Sequence, residues 1–174
     1  MTRSRIPTLA FALPILFAAS AARAQTESVH CAHHAAVEER GDRVMGFDHE
    51  KTTHHFRLTS SGGAIEVTAK DAADSGSRDA IRSHLSHIAR MFAEGDFEAP
   101  MLVHGRVPPG APAMRRRKDV IRWHFEEIPS GGRIRVSTAN AEALSAVHEF
   151  LRFQIEDHET GDSPEVREDL PPAP

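Results

Sequence analysis

The chain has 174 residues, with 25 acidic against 21 basic side chains, one cysteine, no tyrosine and twelve histidines. That length fits one modest globular domain and excludes a large multidomain enzyme. A single thiol excludes an internal disulfide framework, so the fold must rest on its core, and Cys31 is a ligand, an intermolecular partner or incidental.

The first 24 residues have the layout of an export signal: Arg3 and Arg5, an apolar stretch from Ile6 to Ala22, then Ala22-Arg23-Ala24 as a small-x-small cleavage site. The stretch is short and holds Pro7 and Pro14, which favours a removed signal peptide over a membrane anchor. A periplasmic or secreted protein is expected, without stable membrane insertion. Cleavage removes 24 of the 174 residues, among them three of the 21 basic side chains, and leaves 18 against 25 acidic ones, a charge near −7. That sign disfavours a general nucleic-acid role. All twelve histidines remain, far more than ordinary globular composition supplies.

Residues 25–50 read as an N-terminal segment in which Val29 to Arg40 forms a short helix ending near Gly41. The domain proper is expected over 51–158, and it opens on an internal repeat. His55-Phe56, Ser61-Gly62-Gly63, Ile65 and Val67 recur 69 positions later as His124-Phe125, Ser130-Gly131-Gly132, Ile134 and Val136. Each copy reads as a β-hairpin, two alternating strands about a Ser-Gly-Gly turn.

An amphipathic helix follows each hairpin. In the first, Ser77 is the expected N-cap, Ile81, Leu85, Ile88 and Phe92 form the apolar stripe, and Gly95 closes the helix. In the second, Asn140 is the cap, Leu144, Val147, Leu151 and Ile155 repeat the stripe, and the helix runs to about His158. The repeat units are 52–97 and 119–158. Between them Glu98 to Asp119, with its Val107-Pro108-Pro109-Gly110-Ala111-Pro112 run, reads as a rigid, turn-rich connection. Residues 159–174 read as a disordered acidic tail. The expected fold class is α+β: two tandem ββα units forming a four-stranded antiparallel sheet with both helices on one face. One hairpin and one helix bury too little to stand alone.

Strand alternation sends His54, with Phe56 and Leu58, toward the helices and His55, with Arg57 and Thr59, toward the open face. Trp123 takes the place of His54 in the second copy. His84 and His148 fall within the apolar stripes of the two helices, so His54, His84 and His148 are expected to share the layer between sheet and helices. Three converging imidazoles suit zinc or copper, with His104 or His158 as a fourth ligand and Met91 as a source of a soft thioether. A histidine on an apolar stripe also serves as a neutral core residue bonded to a backbone carbonyl or carboxylate, and no spacing here equals a recognised metal signature. A second constellation, His30-Cys31-Ala32-His33-His34, places His30 and His34 one helical turn apart, where they chelate an ion or form a weak, incidental metal tail.

Two segments carry a resemblance. Met45-Gly46-Phe47-Asp48 through Thr52-Thr53-His54-His55-Phe56, and Ala146-Val147-His148-Glu149-Phe150-Leu151 through Asp157-His158, resemble an uncharacterised family of small, often exported bacterial proteins. The likeness covers nearly everything between Arg40 and Asp162 and implies a fold-sized unit without assigning catalytic residues. Some similar sequences are labelled aspartate carbamoyltransferase, a reaction that needs a two-domain phosphate-binding scaffold this chain is too short to hold.

The leading expectation is therefore an exported, soluble protein that binds copper, zinc or a metal-bearing ligand through inward histidines, for binding, transfer or sensing. The alternatives are a non-catalytic interaction or dimerisation module using His55, Arg57, Arg122 and His124 on the open sheet face, and a small-molecule enzyme using His54, His84 or His148 as acid or base. Arg115 to Lys118 reads as a charged lead-in to a strand or an anion-binding run.

Overall fold

The structure, a computed structural model, describes residues 32–169. The signal segment, His30, Cys31 and the last five residues lie outside the described residues. A first helix, α1 (32–45), continues past Gly41 to Met45 and stops where Gly46 takes a positive φ of 77°. A 3₁₀ turn (His49–Lys51) then leads into β1 (Thr52–Thr59) and β2 (Gly62–Ala69), followed by α2 (Ser75–Ala93), α3 (Glu98–His104) and α4 (Ala111–Arg116). The second hairpin, β3 (Arg122–Ile128) and β4 (Gly131–Ser137), and α5 (Ala141–Asp157) complete the order.

The four strands form one antiparallel sheet in the order β1-β2-β4-β3, as the repeat predicts. The two halves meet along β2 and β4, where Ile65 lies opposite Ile134. The hairpin turns differ from expectation. Thr59 pairs with Gly62 and Ile128 with Gly131, so the two-residue loops are Ser60-Ser61 and Pro129-Ser130, and the paired glycines open β2 and β4.

Those glycines serve the helices. A Cβ on Gly63 would stand 2.3 Å from the Arg57 carbonyl and 2.4 Å from Leu151 Cδ1; on Gly132 it would stand 2.8 Å from Phe125 and 3.1 Å from Leu85 Cδ1. Each helix packs most closely on the hairpin of the other copy: α5 on β1 and β2, and α2 mainly on β4 and β3. The correspondence is residue by residue. The N-caps are Asp74, three residues before the expected Ser77, and Asn140, and they accept from the backbone N–H of Ser77 and Ala143. Arg82 donates to the carbonyls of Ile128 and Gly131, flanking the second turn, while His148 Nε2 lies 2.9 and 3.0 Å from those of Thr59 and Gly62, flanking the first.

The expected stripes bury Ile81, Leu85, Ile88 and Phe92 on α2 and Val147, Leu151 and Ile155 on α5. Leu144 is half-buried, and Phe150 and Phe153 add to the α5 face. Two expectations are corrected. The connection between the units holds two short helices, α3 and α4, each with a proline in its first turn, where a missing N–H removes no helical bond. Residues 159–169 are no frayed tail: Arg167 bridges in parallel to Thr59, exchanging bonds with Leu58 and Ser60, and Asp162 accepts from the Phe56 N–H and lies 2.9 Å from His55 Nδ1. The segment satisfies the outer edge of β1, which would otherwise invite pairing.

Replacing Gly63 with Ala should lower stability by about 1–3 kcal/mol through backbone and side-chain overlap. Gly132→Ala should have a smaller effect, because its contacts are side-chain atoms that can yield. Urea denaturation of both variants checks this; equal, negligible losses would contradict the close approach.

Candidate functional site

Symmetry locates the site by where it fails. In the half built on the second hairpin, Phe92 near the end of α2 packs edge-on to Trp123 with ring centroids 4.9 Å apart. At the corresponding place in the other half stand His158, which caps α5, and His54 on β1, with parallel rings 5.7 Å apart. Two imidazoles thus occupy positions that the other half fills with aromatic core.

His54 and His158 border a cavity of about 70 Å³ between sheet and helices, room for a few water-sized molecules. Its wall is mostly apolar, with Met45, Phe47, Phe56 and Phe92, and it also includes His84, His104 and Gln154. Four of the five histidines expected at the site therefore share one cavity. His148 does not: its Nε2 is engaged by the first hairpin's carbonyls, the part that Arg82 plays in the other half. Met45 supplies the thioether on this wall in place of Met91.

The cavity imidazoles are neutral. Burial, with repulsion from His84, His55 and His49, pushes the His54 pKa down to about 4. Burial and His87 bring His84 to about 4; burial, His54 and His104 bring His158 to about 3 against the opposing pull of Asp157. His104 is also shifted down, burial outweighing its bonds to Asp157 and Gln154. Its Nδ1 lies 2.6 Å from Asp157, whose other oxygen accepts from Arg106 at 2.8 Å, and its Nε2 lies 3.0 Å from the Gln154 amide. A neutral ring donating from Nδ1 must accept at Nε2. The Gln154 amide nitrogen therefore belongs toward His104, an end-for-end choice that also gives this buried nitrogen a partner. His54 Nε2 is buried without a partner, a state that costs about 1–3 kcal/mol.

Across the His54–His158 wall lies an outer cleft of about 200 Å³, lined by His34 and Glu38 of α1, His49 of the 3₁₀ turn, His54 and His158. Glu38 joins its neighbours, at 3.4 Å from His34 and 3.6 Å from His49 Nε2. His49 is held from behind: Asp42 accepts from its backbone N–H at 2.8 Å and lies 3.0 Å from its Nδ1. Burial opposes protonation of His49, but the bond to Asp42 and the charges of Asp42, Glu38 and Asp48 outweigh it and raise its pKa. A carboxylate on Nδ1 that leaves Nε2 facing a cleft is the usual outer support of a metal-ligating histidine. Asp42, Asp48 and His49, all half-buried, place ligand atoms within 4.8 Å of one another, a set that can hold a metal ion, and they are the one such group of three among the described residues. The expected meeting of His54, His84 and His148 on one ion is not formed.

Comparison with protein-family models, curated proteins and solved structures finds no match. The reading therefore rests on this chain's own geometry. Among the described residues no helix is long and apolar enough to cross a membrane.

Sequence reading missed Glu38, Asp42 and His49, because a loop histidine and helix-surface carboxylates carry no periodic signal. His34 was visible within the His30–His34 cluster, but its use with β1 depends on how α1 folds back.

Because the folded-state pKa values lie below the ordinary 6.5, the unfolded chain takes up protons first as pH falls. The stability that these two imidazoles contribute is therefore fully present above pH 6.5 and is lost progressively toward pH 4, by about 1 kcal/mol per pH unit for each of them. Thermal denaturation of His54→Leu and His158→Leu should show shallower pH slopes; slopes equal to that of the parent would contradict the assignment.

Proposed function

We propose that this is an exported protein that binds a transition metal, zinc or copper, in the outer cleft, in a binding, transfer or sensing role. One observation carries the reading: four imidazoles and a carboxylate, His34, His49, His54, His158 and Glu38, line a single cleft. Imidazole suits both metals, and Met45 on the same wall favours copper in its reduced state. Metal binding needs deprotonated ligands, and His54 and His158 are kept deprotonated by burial. A ligand on His54 Nε2 would also relieve a buried, unpartnered nitrogen. The export-signal layout of the first 24 residues supports the extracytoplasmic setting.

Titration with zinc, and with reduced copper under anaerobic conditions, tests the site. One equivalent should bind, and His54→Ala/His158→Ala and His49→Ala/Glu38→Ala should each weaken binding at least tenfold. His148→Ala, which removes only the hairpin clamp, should leave affinity unchanged while lowering the melting temperature. Undiminished uptake in both double variants would sink this site.

A second reading has its own observation. His84 borders the inner cavity, and burial keeps its ring neutral there, as an acid–base group in a pocket requires. Substrate turnover lost in His84→Ala, with metal uptake unchanged, would favour acid–base catalysis over binding.

A further inference from the structure

The sheet has two outer edges, β1 and β3, and the chain treats them differently. Register shows which backbone groups each edge turns outward. Each two-residue turn starts from a bonded pair, Thr59 with Gly62 and Ile128 with Gly131, and bonded and non-bonded pairs alternate from there. On β1 the outward groups include those of Phe56 and Leu58, and the 159–169 segment meets them: the Phe56 N–H donates to Asp162, and the Leu58 carbonyl accepts from the Arg167 N–H. On β3 the same alternation turns the N–H and C=O groups of Trp123, Phe125 and Glu127 outward, and among the described residues nothing bonds to them.

β3 also lacks the usual guards of an edge. It contains no proline or lysine and pairs with β4 without a bulge over all 7 residues. Arg122, His124 and Glu127 are exposed along it, and Trp123, Phe125 and Ile128 are only half-buried.

The order of charges shows what fits this edge. Arg122 and His124 lie before Phe125, and Glu126 and Glu127 after it. Two copies of β3 running antiparallel about Phe125 bring the outward-turned residues together, Phe125 on Phe125 and Trp123 on Glu127. His124 then stands opposite Glu126 and Arg122 opposite Ile128, so no like charges face each other. A parallel pairing in the same register would instead set Arg122 against Arg122 and Glu127 against Glu127. The carboxylates bring no unpaired charge into the contact, because Glu126 lies 3.0 Å from Arg133 and Glu127 2.9 Å from Arg82 of its own copy.

We propose that β3 is a dimerisation edge, on which a second copy of this chain pairs antiparallel to make one continuous sheet across two molecules. The assembly closes at the dimer, since the covered β1 edge offers no site for further growth. The contact uses the strand edge, not the open face of the sheet, and shares no residue with the metal cleft.

Sedimentation velocity over micromolar to millimolar protein should show monomer giving way to dimer. Glu127→Pro removes an outward N–H and leaves the β3–β4 bonds in place, a change that edge strands tolerate, and should weaken the dimer at least tenfold. Glu127→Ala, which loses the Arg82 contact but keeps the N–H, should leave the dimer within twofold of the parent, as should His54→Ala/His158→Ala. Amide hydrogen exchange needs no variant. The N–H groups of Trp123, Phe125 and Glu127 should exchange more slowly as concentration rises, while those of Arg122, His124 and Glu126, bonded within the hairpin, keep the same protection. Monomer at every concentration, Glu127→Pro dimerising as the parent does, or a dimer in which the three edge amides exchange freely would overturn the proposal. Protection of those amides independent of concentration would overturn it as well, because the chain itself would then cover the edge.

Discussion

The close approach of each helix to the other copy's hairpin is the constraint on which the fold depends. It exists because Gly63 and Gly132 leave no Cβ where Leu151 and Leu85 enter the sheet. Side-chain bonds from Arg82 and His148 to the carbonyls beside the hairpin turns fix the helices along the strands. Neither ββα unit can bury its own apolar surface, so the pair folds as one layered core.

Against that near-symmetry the candidate site is a local departure. The Phe92–Trp123 contact closes one end of the layer with aromatic surface, while the His158–His54 contact closes the other with two imidazoles that burial keeps neutral. A core position filled by a hydrogen-bonding group without a partner is unfavourable on stability grounds alone. A ligand bound at that nitrogen would relieve it. α1 and the 3₁₀ turn then bring His34, Glu38 and His49 to the outer side of the same wall, so that neutral and acidic side chains line one opening.

The sheet, its order and both long helices were legible in the sequence, because period-2 and period-3.6 patterns and a repeated Gly-Gly pair report backbone geometry directly. Placing His54 inward followed from strand alternation beside Phe56 and Leu58. The same stripe logic placed His148 inward but could not say what it would meet. Its partners are backbone carbonyls of a hairpin nearly 90 residues earlier, and only the crossing of helix over hairpin brings them together. Residues 159–169 were misread for a related reason. Acidic composition suggested a solvated tail, whereas Asp162 and Asp169 are spent on a histidine, a serine and the exposed edge of β1. The short helices α3 and α4 were hidden by prolines that are tolerated in a first helical turn.

The central claim is that imidazoles from separate parts of the chain meet on one metal ion at the His54–His158 wall. X-ray absorption spectroscopy of protein loaded with one equivalent of zinc tests it most directly. A nitrogen and oxygen first shell with the multiple-scattering signature of at least two imidazoles is expected, reduced in His54→Ala/His158→Ala. A shell of oxygen alone, or an imidazole signature unchanged in that variant, would contradict it.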